Sequence, residues 1–315
     1  MTKRLKSKAI LYIVLFFVVV AVAVAFALRA SPRHNPQKQD GSAGETQTYR
    51  KRLDGVLIRD AGATTTPVVA IVIDDAADAQ PTSGVAAASV VFELPVEGPI
   101  TRLLALYPSD ADVPEIGPVR SARPYMADMV KEYNAMFAHV GGSPAGLERI
   151  GVLNLRDLNE FSYGRYFWRS ARPRPHNVYT SMDQMRQALG DRKFDAPPDY
   201  APWQWKDDAP GQGSEAPQGW TYEPWTNEYR RTFGEAVGAT NVVLMETDVA
   251  TIDEVLRKRI RTTGEGKASV YHDGRVTVGS WKKKTPASRL RFYHADGVEV
   301  QFNAGLTWIT VGATR

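Results

Sequence analysis

Six consecutive apolar residues, Val68-Val-Ala-Ile-Val-Ile73, stand between Pro67 and the acid pair Asp74-Asp75. A half-buried strand alternates polar and apolar positions, whereas a run that is apolar at every position has no face to turn to water. It must be covered on both sides. The chain therefore predicts a sheet enclosed between layers, with two carboxylates where its strand ends. Ligand-binding groups of such sheets gather at that end of the strands.

Similar short runs at Ser89–Glu93, Ile100–Tyr107 and Ala135–Val140 predict three further strands of the same sheet. Before the last of them, Met126, Met129, Val130 and Tyr133 recur at i, i+3, i+4 and i+7, which predicts an amphipathic helix over Tyr125–Tyr133. Ser143-Pro144 reads as an N-cap followed by proline at the first helical position, starting a helix through Ile150. Another helix is expected from Ser181 to Leu189, stopped by Gly190. Phe194 to Thr226 crowds prolines beside Trp203, Trp205, Trp220 and Trp225 and reads as an ordered connector pinned by its aromatic rings.

Six short strands follow, at Thr240–Glu246, Ala268–His272, Arg275–Trp281, Arg289–His294, Val298–Phe302 and Thr307–Val311. Asp273-Gly274 and Asp296-Gly297 are hairpin signals between them. The expected fold class is an α/β, mixed-sheet N-terminal domain plus a β-rich, mostly antiparallel C-terminal domain, preceded by one transmembrane helix. The expected division is an anchor at 1–30, a polar linker at 31–55, the α/β domain at 56–195, the connector at 196–226 and the β domain at 227–315. A chain of 315 residues with 43% hydrophobic content has the material for two cores.

The expected anchor is Ala9–Leu28, free of charge and proline behind Lys3, Arg4, Lys6 and Lys8. About 20 such residues span a bilayer as a helix, and the run exceeds the ~7–15-residue core of a cleaved signal peptide. Ala25-Phe26-Ala27 resembles a cleavage site, so cleavage stands as the alternative. The basic flank predicts a single-pass protein of the cell membrane, with a cytoplasmic amino terminus and an extracytoplasmic body. The chain has no cysteine, hence neither disulfides nor a lipid on an N-terminal cysteine. Its net charge of +4, owed in part to that flank, points to anionic lipid more than to nucleic acid, for which no motif is recognisable.

Candidate chemistry is confined to a few clusters. Asp74 and Asp75 end the buried strand; Glu93 and Glu97 follow apolar positions, where a carboxylate is either ion-paired or raised in pKa to a value suited to acid catalysis. Asp75 and Glu93 could act as a glycosidase pair, needing a separation of about 5–5.5 Å or about 6.5–9.5 Å, only on adjacent strands. Arg102, Arg120 and Arg123 supply forks for carboxylate or phosphate, or else neutralise those acids. His139-Val-Gly141-Gly142-Ser143 reads as strand, glycine turn and helix start, able to present backbone N–H groups to an anion. Ser143 reads as a cap rather than a nucleophile. His139 and His176 are candidate ligand-binding groups, but no metal-binding motif or cofactor motif is found. Asn177, with Tyr125 and Tyr179 as stacking faces or packing groups, completes the candidate ligand-binding set.

These segments, with Pro81-Thr-Ser-Gly84, Gly117-Pro-Val-Arg-Ser-Ala-Arg123, Pro175-His-Asn-Val-Tyr-Thr180, Asn241-Val-Val, Gly279-Ser-Trp281 and Gly305-Leu-Thr-Trp-Ile309, resemble the YerB-like bacterial envelope lipoproteins. That family is catalogued as a domain of unknown function, 3048, with N- and C-terminal parts. The resemblance covers roughly Val56 onward and implies an outward-facing, membrane-tethered, two-domain protein with no assigned reaction. The chain departs from it in lacking a lipidated cysteine and in carrying Asp75 where such proteins often have asparagine.

Three functions fit these residues. The first is an envelope protein that binds an anionic glycan, peptide or phosphate-bearing polymer, peptidoglycan among them, in an arginine-lined cleft. The second is a glycan hydrolase or lyase using Glu93 or Glu97 with Asp75. The third is a scaffold without a catalytic site. Oligomeric state has no signature in the sequence.

Overall fold

All seven residues of strand β1, Val68–Asp74, are buried. The computed structural model describes residues 47–209, 211 and 213–314. The other strands of the main sheet are β2 (Val90–Glu97), β3 (Ile100–Pro108), β4 (Met136–His139), β5 (Arg156–Asn159), β6 (Asn241–Thr247), β7 (Gly264–His272), β8 (Arg275–Lys283), β9 (Arg291–His294) and β10 (Thr307–Ala313). Their spatial order is β9-β8-β7-β6-β10-β2-β3-β1-β4-β5.

β1 pairs in parallel with β4, and β4 with β5, whereas β3 runs antiparallel between β2 and β1. β10 pairs in parallel with β6 on one side and β2 on the other. Seven strands, β1, β2, β4, β5, β6, β8 and β10, therefore end at one edge of the sheet. β7, β8 and β9 continue from β6 as an antiparallel meander. Asp273 and Gly274 make the β7–β8 turn with φ of 55° and 68°, a left-handed pair that Asp-Gly adopts at little cost.

The pleat divides β1 between two cores. Val68, Ala70 and Val72 join one, and Val69, Ile71 and Ile73 the other. Helices α1 (Pro124–Lys131) and α2 (Pro144–Val152) cover the first; a short turn, α3, spans Glu160–Tyr163, and α4 (Met182–Asp191) covers the second. Ser143 and Ser181 cap α2 and α4, accepting from Gly146 N at 3.1 Å and Gln184 N at 3.2 Å.

This corrects the expected fold class. The described chain from residue 47 is one compact unit, mostly β with few helices, in which strands from both halves share one sheet. An α/β domain joined to a mostly antiparallel β domain does not describe it. The reason lies in β10, whose Trp308, Ile309 and Val311 are apolar on both faces, as a central parallel strand requires. The Val298–Phe302 run likewise yields only Gln301–Asn303, paired in parallel with Gln204–Lys206. Periodicity identifies strands without naming their neighbours. The expected membrane span and the first part of the linker lie outside the described residues, among which no helix is long and apolar enough to cross a membrane.

The aromatic connector packs onto this sheet. Trp203 donates its indole N–H to Leu290 O at 2.7 Å and lies 5.0 Å, ring centre to ring centre, from Phe302. Trp220 meets Trp308 edge-on at 5.3 Å. A buried ion cluster ties α1 to the end of β8. Glu132, just after α1, accepts from Lys283, from Arg289 at 2.6 Å and from Leu290 N at 2.8 Å, while Arg289 stacks 4.0 Å from the Trp203 ring centre.

Candidate functional site

Asp74 ends β1 opposite Arg102 of β3, on the same pleat face as Val72 and Leu104. Arg120 and His176 converge on it, with Arg120 Nε 2.7 Å and His176 Nδ1 2.8 Å from the same carboxylate oxygen. The second His176 nitrogen lies 3.1 Å from Asp78, so the ring stands between two acceptors. The Arg120 Nε–H is not directed at the Asp74 oxygen, and the contact is a charge pair rather than an aligned hydrogen bond. Among the described residues the Arg120 side chain makes no other hydrogen bond or ion pair. Its terminal nitrogens are uncommitted.

Beside this pair, Glu97 accepts from Arg123 Nε at 2.8 Å and from Arg102 at 3.3 Å. Arg102 is nearly buried, donates to Ser121 O at 2.9 Å and leaves its Nε–H without a partner. Burial, and after it the neighbouring Arg123 and Arg120 guanidiniums, pull its pKa down to about 10, against the opposing pull of Glu97 and Asp74. Arg102, Arg120 and Arg123 thus gather with Asp74 and Glu97 at the edge where seven strands end. Tyr125 lies beneath them, its hydroxyl donating to Pro95 O at 2.8 Å and its pKa pushed up by burial.

Asp75 faces the opposite side of the sheet. Arg231 grips it with both terminal nitrogens, and Gln80 and Thr101 add bonds of 3.0 and 2.9 Å. The same Arg231 lies 4.0 Å from Glu93, whose other oxygen accepts from Trp308 Nε1 at 3.0 Å and Thr310 at 2.9 Å. β3 separates β1 from β2, so the adjacency that a glycosidase pair required is absent, and a guanidinium stands between the two acids. Asp75 and Glu93 form one group with Arg231; Asp74, Glu97, Arg102, Arg120, Arg123 and His176 form another.

The remaining candidates hold the loops in place. His139 is fully buried, its Nδ1 donating to Gly141 O at 2.7 Å and its Nε2 2.7 Å from Asp157. Gly141 N donates to Asn159 Oδ1 at 2.9 Å and Ser143 N to Ala122 O at 3.3 Å, so these two N–H groups of the glycine turn are already used. Gly142 bridges to Ala122, and the Ser143 hydroxyl is the α2 cap. Asn177 accepts from Arg169 at 3.4 Å, and the Tyr179 hydroxyl accepts from Arg172 at 3.0 Å. No group of three or more His, Asp or Glu side chains among the described residues is arranged to hold a metal ion.

Two residues without a sequence signal matter here. Arg231 lies in a short, mostly polar strand, Glu228–Arg231, 156 positions from its acid. Phe161 is 74% exposed beside the glycine turn, where a Cβ on Gly141 would lie 2.5 Å from its ring. Only the absence of that Cβ seats the ring.

Comparisons with known proteins agree with this arrangement. Residues 53–195 match the family model described as "Protein of unknown function (DUF3048) N-terminal domain", and residues 212–309 match its C-terminal domain. A Bacillus subtilis (strain 168) protein named "Putative lipoprotein YerB" is 29% identical over 272 residues, 77% of this chain and 80% of the relative. The crystal structure of YerB protein from Bacillus subtilis superposes with a TM-score of 0.74 at 26% identity, covering 84% of this chain and 97% of that one. With both family models matched in order and the architecture shared, the chain belongs to the DUF3048 family of proteins of unknown function.

Proposed function

We propose that this is a membrane-associated protein of the bacterial envelope, on the outer face, that binds an anionic ligand at the Arg102, Arg120 and Arg123 cluster. The observation that carries the reading is Arg120. Its charge is only partly met by Asp74, and its terminal nitrogens are uncommitted. A carboxylate or phosphate suits a guanidinium with two free nitrogens, because both bonds form in one plane. The envelope location is supported by the lipoprotein name of the Bacillus relative.

Binding is favoured over hydrolysis because Asp75 is held by Arg231, Gln80 and Thr101, and Glu93 by Trp308 and Thr310 on one oxygen with Arg231 4.0 Å from the other. A general acid needs a proton in reach of substrate, and these carboxylates spend their lone pairs on fixed donors. Binding is favoured over a scaffold role because Trp203 and Trp220 are packed inward, leaving Trp225 as the exposed tryptophan of the connector rather than a patch. Calorimetric titration of the full chain with inorganic phosphate and with galacturonate tests the proposal. Binding is expected to weaken about 10- to 100-fold in Arg120→Ala, the worth of one charged hydrogen-bonded contact. Equal affinity of that variant and the parent chain refutes it.

A further inference from the structure

A second cationic feature lies farther along the same edge of the sheet. Where β6 and β10 end, a cavity of about 490 Å³ is lined by Thr247, Asp248, Arg259, Arg261 and Thr314 among others. Arg261 is engaged, 2.6 Å from Asp248 and bonded to the carbonyls of Thr263 and Glu265. Arg259 is exposed, and its side chain has no hydrogen bond or ion pair among the described residues. Among the described residues, Asp248 is the one carboxylate lining the cavity beside these two arginines.

The two positively charged places are joined by protein. Arg259 belongs to a hairpin whose strands Val249–Thr251 and Lys258–Ile260 pair antiparallel. Its tip reaches the β2–β3 turn, with Gly98 N donating to Leu256 O at 3.1 Å and Glu97 bridging to Arg257. Ile260 and Val249 pack against the core that lies under Arg102, so the hairpin and the arginine cluster share one face of the sheet. Arg257 is paired to Asp253 at 2.5 Å, and the exposed Glu254 is the one acid of the tip without a basic partner. From β1, beside Arg120, to β10 and β6 is three to four strand spacings, roughly 14–19 Å at about 4.8 Å each.

We infer that the ligand is a linear polyanion, with one charged group at Arg120 and a later one at Arg259, laid across the carboxyl edge of the sheet. This rests on the anion-binding reading above and adds its length. A single small anion has no use for a second uncommitted guanidinium several strands away, whereas a chain of repeating carboxylates or phosphates meets both. Joining two weak sites through one ligand multiplies affinity without a new contact, by about 10²–10⁴ when the spacing matches.

The test uses the full chain and four probes: galacturonic acid against a long oligogalacturonate, and inorganic phosphate against a long linear polyphosphate. The polymer of the matching chemistry should bind at least about 100-fold tighter than its monomer. Arg259→Ala should bring the polymer close to monomer affinity and leave the monomer unchanged, while Arg120→Ala should weaken both. Arg259 touches no other side chain in a bond, so this variant keeps the fold, and Arg259→Glu should weaken polymer binding further. Polymer affinity unchanged by Arg259→Ala overturns the polyanion inference and leaves the anion site standing. Absence of binding by every probe overturns both. Carboxylate polymer binding alone or phosphate polymer binding alone identifies the charge it reads.

Discussion

Arg231 and Asp75, 156 residues apart in sequence, form a two-pronged ion pair at 3.1 and 2.8 Å with both side chains nearly out of water. The guanidinium also lies 4.6 Å from the Trp308 ring centre, so a residue of the C-terminal half holds the end of β1 and faces the strand that closes the sheet. Asp75 is therefore a fastening between halves.

Arg231→Ala should cost about 3–5 kcal/mol in urea unfolding, because it leaves a buried carboxylate unpaired. Asp75→Asn with Arg231→Met should cost less than the two single changes together. Additive costs would show that the pair is not coupled.

Acid should attack the Glu132 cluster. Burial by itself raises the Glu132 pKa, but Lys283 and Arg289 outweigh it and the net direction is downward. A carboxyl depressed in the folded state adds stability that is full above its unfolded value near 4.5 and is lost as pH falls through the folded one. Thermal melts from pH 6 downward should show that loss, and Glu132→Gln should flatten it while lowering the plateau.

Alkali should act through the buried phenols. Burial raises the pKa of Tyr107 and Tyr133 well above 10, which favours the neutral form in the folded state. Stability is then full below the unfolded value and declines as pH rises above about 10. Tyr107→Phe should soften that decline and cost about 1 kcal/mol at neutral pH for the lost bond to Gly84 O. Ultraviolet titration should show the phenols ionising together with unfolding.

Gly141→Ala should destabilise by about 1–3 kcal/mol, since φ is +57° and the new methyl meets Phe161. In a Phe161→Ala background the same change should cost less, the backbone part alone remaining. Equal costs in both backgrounds would mean that the ring moves aside freely.

Much of the sheet could be read from residue pattern, because burial on both faces leaves a mark in Val68–Ile73 that no loop imitates. The cap at Ser143 and the Asp273-Gly274 turn were equally plain, being local chemistry. Strand neighbours were not, since β10 and β6 pair through contacts about 65 positions apart and Thr307–Val311 carries the same apolar signature whichever strands flank it. Within the site, Asp74, Glu97 and the three arginines could be named together because they sit where strands end. What separated Asp75 from Asp74 was the pleat, which sends consecutive residues to opposite faces. Arg231 was silent for a different reason: one arginine in a polar strand looks like any other until its carboxylate is located.

The place of β10 bears on how such a chain comes to be folded. Residues 307–313 fill the seam between β2 and β6, so any shorter stretch of chain presents two unpaired strand edges at the middle of the sheet. Such edges are templates for pairing with other chains. Residues 47–306 thus lack the strand that joins the two halves of this sheet.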